Sequence, residues 1–490
     1  MPRLLPAAVG LAGLAACGLQ TAGLPGDAAD RPALDDGRAE DAGETPPDAP
    51  DGGDALVCPP ASSWCSLGAL MLCSEDGLSY STTPCPLGCG DAPWAHCLEL
   101  LPSNLPDAEL LCAGSARMAV RPETQIVAFE TDTGRITEWT ASMAFVRDNR
   151  PEGEGAIDGI HYTRRAQPDG APPLGIFAFA GFTVPADVTF LATGAHAFVV
   201  LSCGDATVDG KLFVGAVQYT DDLGEVHRNP GPGGSDVGSG AGAGGAGGWD
   251  TTYRTSGGGG GGGFGGGGGP GGNGGYYGAL LAGAAGRLNG NPELVPLRGG
   301  SGGGGGAGTV PAGAGGAGGG AFQLTARGTL RVRGLIDAGG LGGLGGGNAD
   351  GGGGGGGSGG GILLEAERLV VESGAVIAVN GGGAGSGTGY GSYGYHSNPG
   401  QRGEARLTSA AGGADPGTYG CAGGAGSNAS ALLGGSVGCI AAGDYYGGGG
   451  GGGAGRIRLN AVSLEIARNT LSPADGTPGT TTTTGTPNLR

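Results

Sequence analysis

The sequence is poor in positive charge. It contains 25 lysine and arginine residues against 44 aspartate and glutamate residues, and Lys211 is its only lysine. The net charge of −19 at pH 7 leaves no basic stripe that could neutralise the phosphates of a nucleic acid. We therefore expect no nucleic-acid partner.

Helical periodicity is also missing. After Ala16, no apolar pattern with the 3.6-residue period of an amphipathic helix extends over a useful length. Residues 98–181 instead hold short apolar runs, such as Gln125–Phe129, between Pro, Gly and Asp. This pattern is typical of strands and turns, so we predict an all-β protein whose residues 98–181 form a β-rich segment.

Catalytic motifs are missing as well. The five histidines stand in unrelated sequence contexts, and Gly-x-Ser-x-Gly occurs only inside glycine tracts, where no strand-to-helix elbow would hold a nucleophile. We predict no enzyme activity, no cofactor and no metal site. The histidines are His96, His161, His196, His227 and His396, and the serines of the glycine tracts are Ser301, Ser358 and Ser436.

The N-terminus carries an export pattern. Leu4–Ala15 is apolar but shorter than the about 20 residues of a membrane span. Leu14-Ala15-Ala16-Cys17 resembles the lipobox of bacterial lipoproteins, which implies a signal peptide at 1–16, lipidation of Cys17 and attachment to a membrane. Gly18 follows where inner-membrane lipoproteins have aspartate, so the resemblance implies the outer membrane or cell surface. The alternative is an ordinary secretory signal.

An acidic tether and a cysteine-rich module follow. Residues 17–57 are rich in Ala, Asp, Pro and Gly and predict a disordered tether. The next segment, 58–97, is too small for a core without cross-links, so we predict three disulfides of open pairing, with zinc as the alternative. Its cysteines are Cys58, Cys65, Cys73, Cys85, Cys89 and Cys97. Cys85-Pro86-Leu87-Gly88-Cys89 resembles a turn in a small repeat of secreted multi-domain bacterial proteins.

Four cysteines remain outside the module. Cys421 and Cys439 flank one segment, and Cys112 and Cys203 are then the last two, so we predict the disulfides Cys421–Cys439 and Cys112–Cys203.

Residues 182–466 contain a repeated apolar pattern that glycine-rich segments interrupt. The alternating residues from Phe198 to Val214 reappear at an offset of 124, from Phe322 to Ala338. A third copy runs Ile362, Leu364, Ala366, Leu369, Val371, Gly374, Val376 and Ala378, and a fourth runs Ile457, Leu459, Ala461, Leu464 and Ile466. Strands of this kind resemble the coils of the parallel β-helix of bacterial surface proteins, which implies a solenoid; a β-sandwich is the alternative.

The copies are separated by glycine-rich insertions at 215–320, 339–361 and 381–455, and a Thr/Pro/Gly tail at 467–490 is predicted to be disordered. Two structures stay open for the insertions: disorder, or glycine chains bonded side by side as in polyglycine II. Ten of the 12 tyrosines lie in the insertions, where they either pin the glycine chains or bind a partner. They are Tyr219, Tyr253, Tyr276, Tyr277, Tyr390, Tyr393, Tyr395, Tyr419, Tyr445 and Tyr446.

Together with the lipobox, the body resembles the glycine-rich, PGRS-like surface lipoproteins of Gram-negative bacteria. The resemblance implies a structural or adhesive lipoprotein, with the membrane and surface polysaccharide or other envelope components as partners. The alternative is a polysaccharide lyase or hydrolase on the β-helix, which needs clustered charged residues on one outer sheet. The candidates for such a site are Asp205, Asp209, Lys211, Arg331, Arg333 and Asp337, although turn capping also accounts for Asp209 and Asp337.

Overall fold

The computed structural model describes residues 56–490 except 86, 106–108, 222, 275–280, 310–311, 392–393, 437–438, 440–444 and 475–480. The predicted signal peptide, Cys17 and all but the end of the tether lie outside the described residues. The chain divides into two compact units, one ending at Cys97 and one running from Leu98 to Arg490.

The cysteine-rich unit has two small antiparallel sheets. β1 (Ser63–Ser66), β2 (Ala69–Cys73) and β3 (Tyr80–Pro84) form the first, and β4 (Cys89–Gly90) and β5 (His96–Cys97) form the second. All six cysteines are paired, so the zinc alternative is wrong. The disulfides are Cys58–Cys73, Cys65–Cys89 and Cys85–Cys97.

The described residues of the second unit form strands almost entirely, with one short helix, α1, among them. Its elements are β6 (Leu100–Leu101), α1 (Glu109–Cys112), β7 (Ile126–Glu130), β8 (Ile136–Trp139), β9 (Phe145–Arg150), β10 (Gly155–Ile157), β11 (Ile160–Arg165), β12 (Leu174–Phe179), β13 (Phe182–Val184), β14 (Thr189–Thr193), β15 (Ala197–Ser202), β16 (Ala206–Val208), β17 (Lys211–Phe213), β18 (Val217–Thr220), β19 (Val226–Asn229), β20 (Trp249–Asp250), β21 (Thr255–Ser256), β22 (Ala321–Val332), β23 (Leu335–Asp337), β24 (Gly361–Val371), β25 (Val376–Ala378), β26 (Gly389–Gly391), β27 (Gly394–His396), β28 (Arg456–Ile466), β29 (Leu471–Ser472), β30 (Thr482–Gly485) and β31 (Asn488–Leu489). The all-β prediction is confirmed.

The repeated strands stack as coils of a solenoid. β12, β15, β22, β24, β28 and β30 pair side by side in parallel, and β7, β14, β17, β23, β25 and β29 form a second parallel ladder. Phe198 pairs with Phe322, which pairs with Ile362, so the offset found in the sequence is the pairing register. Parallel ladders joined through long insertions exclude the antiparallel β-sandwich.

The side chains that point into the coils form the main core. Phe129, Phe177 and Phe198 pack ring against ring, with centroids 5.2–5.7 Å apart. Phe322 continues the stack over Phe198 at 5.4 Å. Because residues two apart on a strand face the same side, every coil adds its alternate apolar residues to this column.

Three sequence assignments need correction. The solenoid begins before residue 182, because β12 carries the inward residues Phe177 and Phe179. The tail after 466 is not disordered where it is described, because the β-branched threonines of β30 pair with β28. In the third copy the inward residues are Ala375, Ile377 and Val379 rather than Val376 and Ala378; a shift of one residue at the corner moves each side chain to the other face.

The described parts of the glycine insertions pack as a polyglycine II bundle beside the solenoid. Successive N–H groups of Gly257–Gly263 point to three different neighbours: residues 242–248, 266–272 and 353–356. Their carbonyls accept from residues 283–286, 304–307 and 450–453. A chain with three residues per turn and no internal hydrogen bonds presents its backbone groups in this way.

The bundle has no room for side chains at its centre. A Cβ atom on Gly258 or Gly261 would lie 1.9 Å from the carbonyl oxygen of Gly448 or Gly451. Any larger residue would separate chains that are held by backbone hydrogen bonds. The uninterrupted tracts Gly257–Gly263, Gly351–Gly357 and Gly447–Gly453 come from different insertions and meet here.

Candidate functional site

The bundle segments leave the solenoid and return to it, and their connecting loops meet at the far end. We call the loop residues 249–256, 347–350, 389–391, 394–396, 416–420 and 445–446 the loop cluster. Backbone hydrogen bonds join three of these loops: Tyr390 N–H donates to Thr418 O, and the N–H groups of Tyr445 and Tyr446 both donate to Tyr419 O. Ser256 N–H in turn donates to Tyr445 O, which ties the cluster to the central glycine tract.

Asp350 lies at the middle of this cluster. Its carboxylate accepts a hydrogen bond from Tyr446 Oη at 3.0 Å and from Arg254 Nε at 2.9 Å. Thr309 Oγ1 adds a third contact at 3.3 Å. Burial works to raise the pKa of Asp350, but the bonds from Arg254 and Tyr446 outweigh it and lower that pKa below its usual value.

The tyrosines of the cluster fall into two kinds. Tyr446 is buried. Its burial raises the pKa of its hydroxyl, and its hydrogen bond to Asp350 raises that pKa further. Tyr390 and Tyr395 are 52% and 48% exposed, and their rings meet edge to face at 5.2 Å across the β26–β27 hairpin. Tyr419 is 38% exposed beside them in the cluster. The first kind pins the loops, and the second presents aromatic surface to solvent.

The two disulfides predicted outside the module are both present. Cys421–Cys439 spans the segment next to the loop cluster, with Cys421 buried. Cys112–Cys203 joins α1 to the end of β15. The lipidation residue Cys17 and the tyrosines Tyr276, Tyr277 and Tyr393 lie outside the described residues.

The carboxylates proposed for polysaccharide chemistry each have a structural partner. Asp205 caps the backbone N–H of Thr329 at 2.7 Å, and Asp209 pairs with Arg333 at 2.7 Å. Asp337 is fully buried and accepts from Arg402 at 2.8 Å. Asp337 therefore has no access to a polymer in solvent.

Lys211 and Arg331 are also accounted for. Lys211 Nζ lies 3.9 Å from Asp337, and burial lowers the pKa of Lys211. Arg331 pairs with Glu372 at 2.6 Å. These contacts tie neighbouring coils to one another.

Sequence reasoning missed a buried carboxylate on the outer face of the larger sheet. Glu365 is fully buried and accepts hydrogen bonds from Ser103, Gln323, Thr325 and Asn460. Its partners come from the two neighbouring strands β22 and β28 and from the segment after β6, so no local sequence pattern indicates the cluster. These hydrogen bonds satisfy the acceptor oxygens of the buried carboxylate, and the bond from Ser103 connects the sheet to the segment after β6.

Sequence reasoning also missed a contact of His227. The imidazole Nε2 lies 2.9 Å from Asp221 Oδ2 across the β18–β19 hairpin, and the carboxylate of Glu225 is within reach. The spacing Asp-x-x-x-Glu-x-His around a hairpin turn was the available signal. Of the other described histidines, His96 and His396 each contact a carbonyl two residues away and His196 contacts Thr131 O, whereas the buried Nδ1 of His161 has no hydrogen-bond partner among the described residues.

No family model, curated protein or solved structure matches this chain. Among the described residues, none belongs to a helix long and apolar enough to cross a membrane.

Proposed function

We propose that this chain is an exported, non-enzymatic adhesive or structural protein of the bacterial cell surface, anchored through a lipid on Cys17 and related to glycine-rich, PGRS-like lipoproteins. The observation that carries the proposal is the exposed tyrosine pair Tyr390–Tyr395, held at the far end of a glycine bundle. Five disulfides support an oxidising compartment outside the cytosol.

The chemistry of the loop cluster favours neutral polysaccharide as the partner. Tyrosine supplies a large amphipathic face at low entropic cost, and such faces stack on sugar rings. Arg254, a cation of the cluster, is paired with Asp350. A net charge of −19 repels acidic polymers at low ionic strength.

Binding is tested with beads that carry the purified chain, applied to surfaces coated with neutral polysaccharide and to intact bacterial cells. The double substitution Tyr390→Ser and Tyr395→Ser should lower attachment at least tenfold while the melting temperature stays unchanged. Tyr80→Ser is the matched control, because Tyr80 is 49% exposed but belongs to the cysteine-rich unit. Unchanged attachment of the double variant, or equal loss in the control, contradicts the proposal.

Anchoring is tested separately. Cys17→Ala should leave the protein uncleaved or soluble, because the acyl chains supply the membrane affinity. Fractionation that finds the variant processed and still fully bound to membranes would refute the lipid anchor.

A further inference from the structure

The β18–β19 hairpin carries a compact set of potential metal ligands. Asp221, Glu225 and His227 each offer one ligand atom, and the three atoms lie within 4.8 Å of one another. In the described part of the chain, no other group of three such residues comes together in this way. The set lies on the hairpin, apart from the loop cluster around Asp350.

The ligand atoms are held by contacts that do not depend on a metal. Asp221 Oδ1 accepts backbone N–H bonds from Leu223 at 2.9 Å and Glu225 at 2.8 Å, which leaves Oδ2 turned toward His227. The ring of Tyr219 stacks on the imidazole at 4.9 Å, with an interplanar angle of 20°. The carboxylate and the imidazole are therefore oriented before any ion arrives.

The hairpin itself is fixed to the glycine bundle. Arg228, the neighbour of His227, donates to Gly315 O at 3.2 Å and also to Gly342 O. The strand that carries His227 therefore has a firm attachment, and the side chain of Glu225 is exposed.

We propose that Asp221, Glu225 and His227 bind one divalent transition-metal ion, with Zn²⁺ as the best match. One imidazole nitrogen and two carboxylate oxygens are a donor set that Zn²⁺ accepts, with a water as the fourth ligand. Bonds of about 2.0–2.1 Å in a tetrahedral site set ligand atoms about 3.3 Å apart. The 2.9 Å separation of Asp221 Oδ2 and His227 Nε2 needs only a small expansion to admit the ion.

The donor set also selects among metals. The imidazole disfavours Ca²⁺ and Mg²⁺, which prefer oxygen ligands alone and in larger number. Two carboxylates balance the charge of the ion, so the occupied site is neutral. Occupation would bridge both strands of the hairpin across its turn and close the hairpin against proteases.

The test is calorimetric titration of the metal-free full chain with ZnCl₂ at pH 7.5, followed by CoCl₂ with visible absorption as a report of tetrahedral geometry. We expect one tight equivalent of Zn²⁺, abolished by His227→Ala and weakened at least tenfold by Glu225→Gln. His396→Ala is the matched control, because His396 also lies on a hairpin but contacts the carbonyl of Gly394. The control should bind like the wild type.

Glu225→Gln keeps the test valid if His227→Ala disturbs the hairpin. Its side chain is exposed, and the bond that the hairpin needs is donated by its backbone N–H. Retention of full Zn²⁺ affinity in Glu225→Gln, or a wild type that binds no more tightly than His227→Ala, would overturn the proposal. Neither result bears on attachment through Tyr390 and Tyr395, so the two proposals fail independently.

Discussion

The solenoid and the glycine bundle lie in one unit but are stabilised by opposite means. In the solenoid, side chains such as Phe198 and Phe322 fill the interior, and the backbone forms ladders around them. In the bundle, the backbone is the interior, and hydrogen bonds from Gly257–Gly263 to surrounding segments replace apolar contacts. A chain in which a quarter of the residues are glycine can therefore still form a packed interior when other backbone segments surround each glycine segment.

The two regions are joined by a buried ion pair. Arg402, from the bundle, donates to Asp337 at the end of β23, and its guanidinium lies 4.7 Å from the centre of the Phe213 ring. Burial alone would raise the pKa of Asp337, but the charge and hydrogen bond of Arg402 lower it below the usual value. The carboxylate is therefore ionised at neutral pH and holds the first turn of the insertion through Gly339 N–H.

The largest effect on stability should come from removing a buried side chain from the core of the solenoid. Phe322→Ala removes a fully buried ring that stacks on Phe198, and we expect a loss of about 3–5 kcal/mol in the free energy of unfolding. Chemical denaturation measures it. Val462→Ala is the control, because Val462 lies on β28 but is 56% exposed, and its replacement should change little. Equal effects of the two variants would contradict the assignment of the core.

In the bundle, alanine should destabilise by adding atoms rather than removing them. Gly261→Ala places a Cβ 1.9 Å from the carbonyl oxygen of Gly451, and we expect a loss of about 3 kcal/mol and faster proteolysis of the insertions. Gly267→Ala is the control, because its Cβ would meet only ordinary contacts at 3.5 Å or more. That variant should be neutral or stabilising by about 0.5 kcal/mol. Tolerance of both substitutions would show that the bundle is not close-packed.

A smaller effect is expected at the loop cluster. Tyr446→Phe removes the hydroxyl that donates to Asp350, and we expect a loss of about 1–2 kcal/mol, since the acceptor is charged. Hydrogen exchange of the loops 347–350 and 416–420 should report it, with Tyr419→Phe as the more exposed control. Equal exchange rates in wild type and Tyr446→Phe would remove the distinction between pinning and exposed tyrosines.

The smallest effects should appear as pH dependence. The pKa values of Asp337 and Asp350 are lowered in the folded state, so their contribution to stability is present above about pH 4 and is lost as pH falls through the folded values. The pKa of Tyr446 is raised, so its contribution is present below about pH 10 and is lost as pH rises further. The free energy of unfolding should fall at both extremes.

Variants separate the contributions of these groups. Asp350→Asn should flatten the acid side of the profile, and Tyr446→Phe should flatten the alkaline side, because each removes the titrating group. A profile that keeps its wild-type slopes in both variants would show that these groups do not titrate with unfolding.

Much of the solenoid could be predicted because apolar residues two positions apart on each strand determine the pairing register of the coils. The offset that relates Phe198 to Phe322 is the same offset that relates Val208 to Val332, so the coil stacking followed from the sequence. The coil of Phe177 and the threonine coil of β30 could not be found this way, because their residues do not match the repeat. The corner before Ile377 misled the alignment by one residue, because a turn changes the phase of the strand.

The sequence predicted the amino-acid composition of the loop cluster but not the contacts of its individual residues. The enrichment of tyrosine in the insertions marked the region, but which tyrosine pins and which is exposed depends on Asp350 and Arg254, which lie far apart in the chain. The pairs Cys112–Cys203 and Cys421–Cys439 followed from simple elimination and spacing. The pairing inside the cysteine-rich module did not, because six cysteines allow many connections.

The sequence by itself determined the class of each region. Alternating apolar residues such as Phe322 and Leu324 indicate a strand with one apolar face, and the tract Gly257–Gly263 can only pack backbone against backbone or remain unfolded. Tertiary structure decided between those last two outcomes. The hydrogen bonds that order Gly259 come from Gly353 and Gly450, which lie in other insertions, so the partners exist only after the coils have stacked and brought the three tracts together.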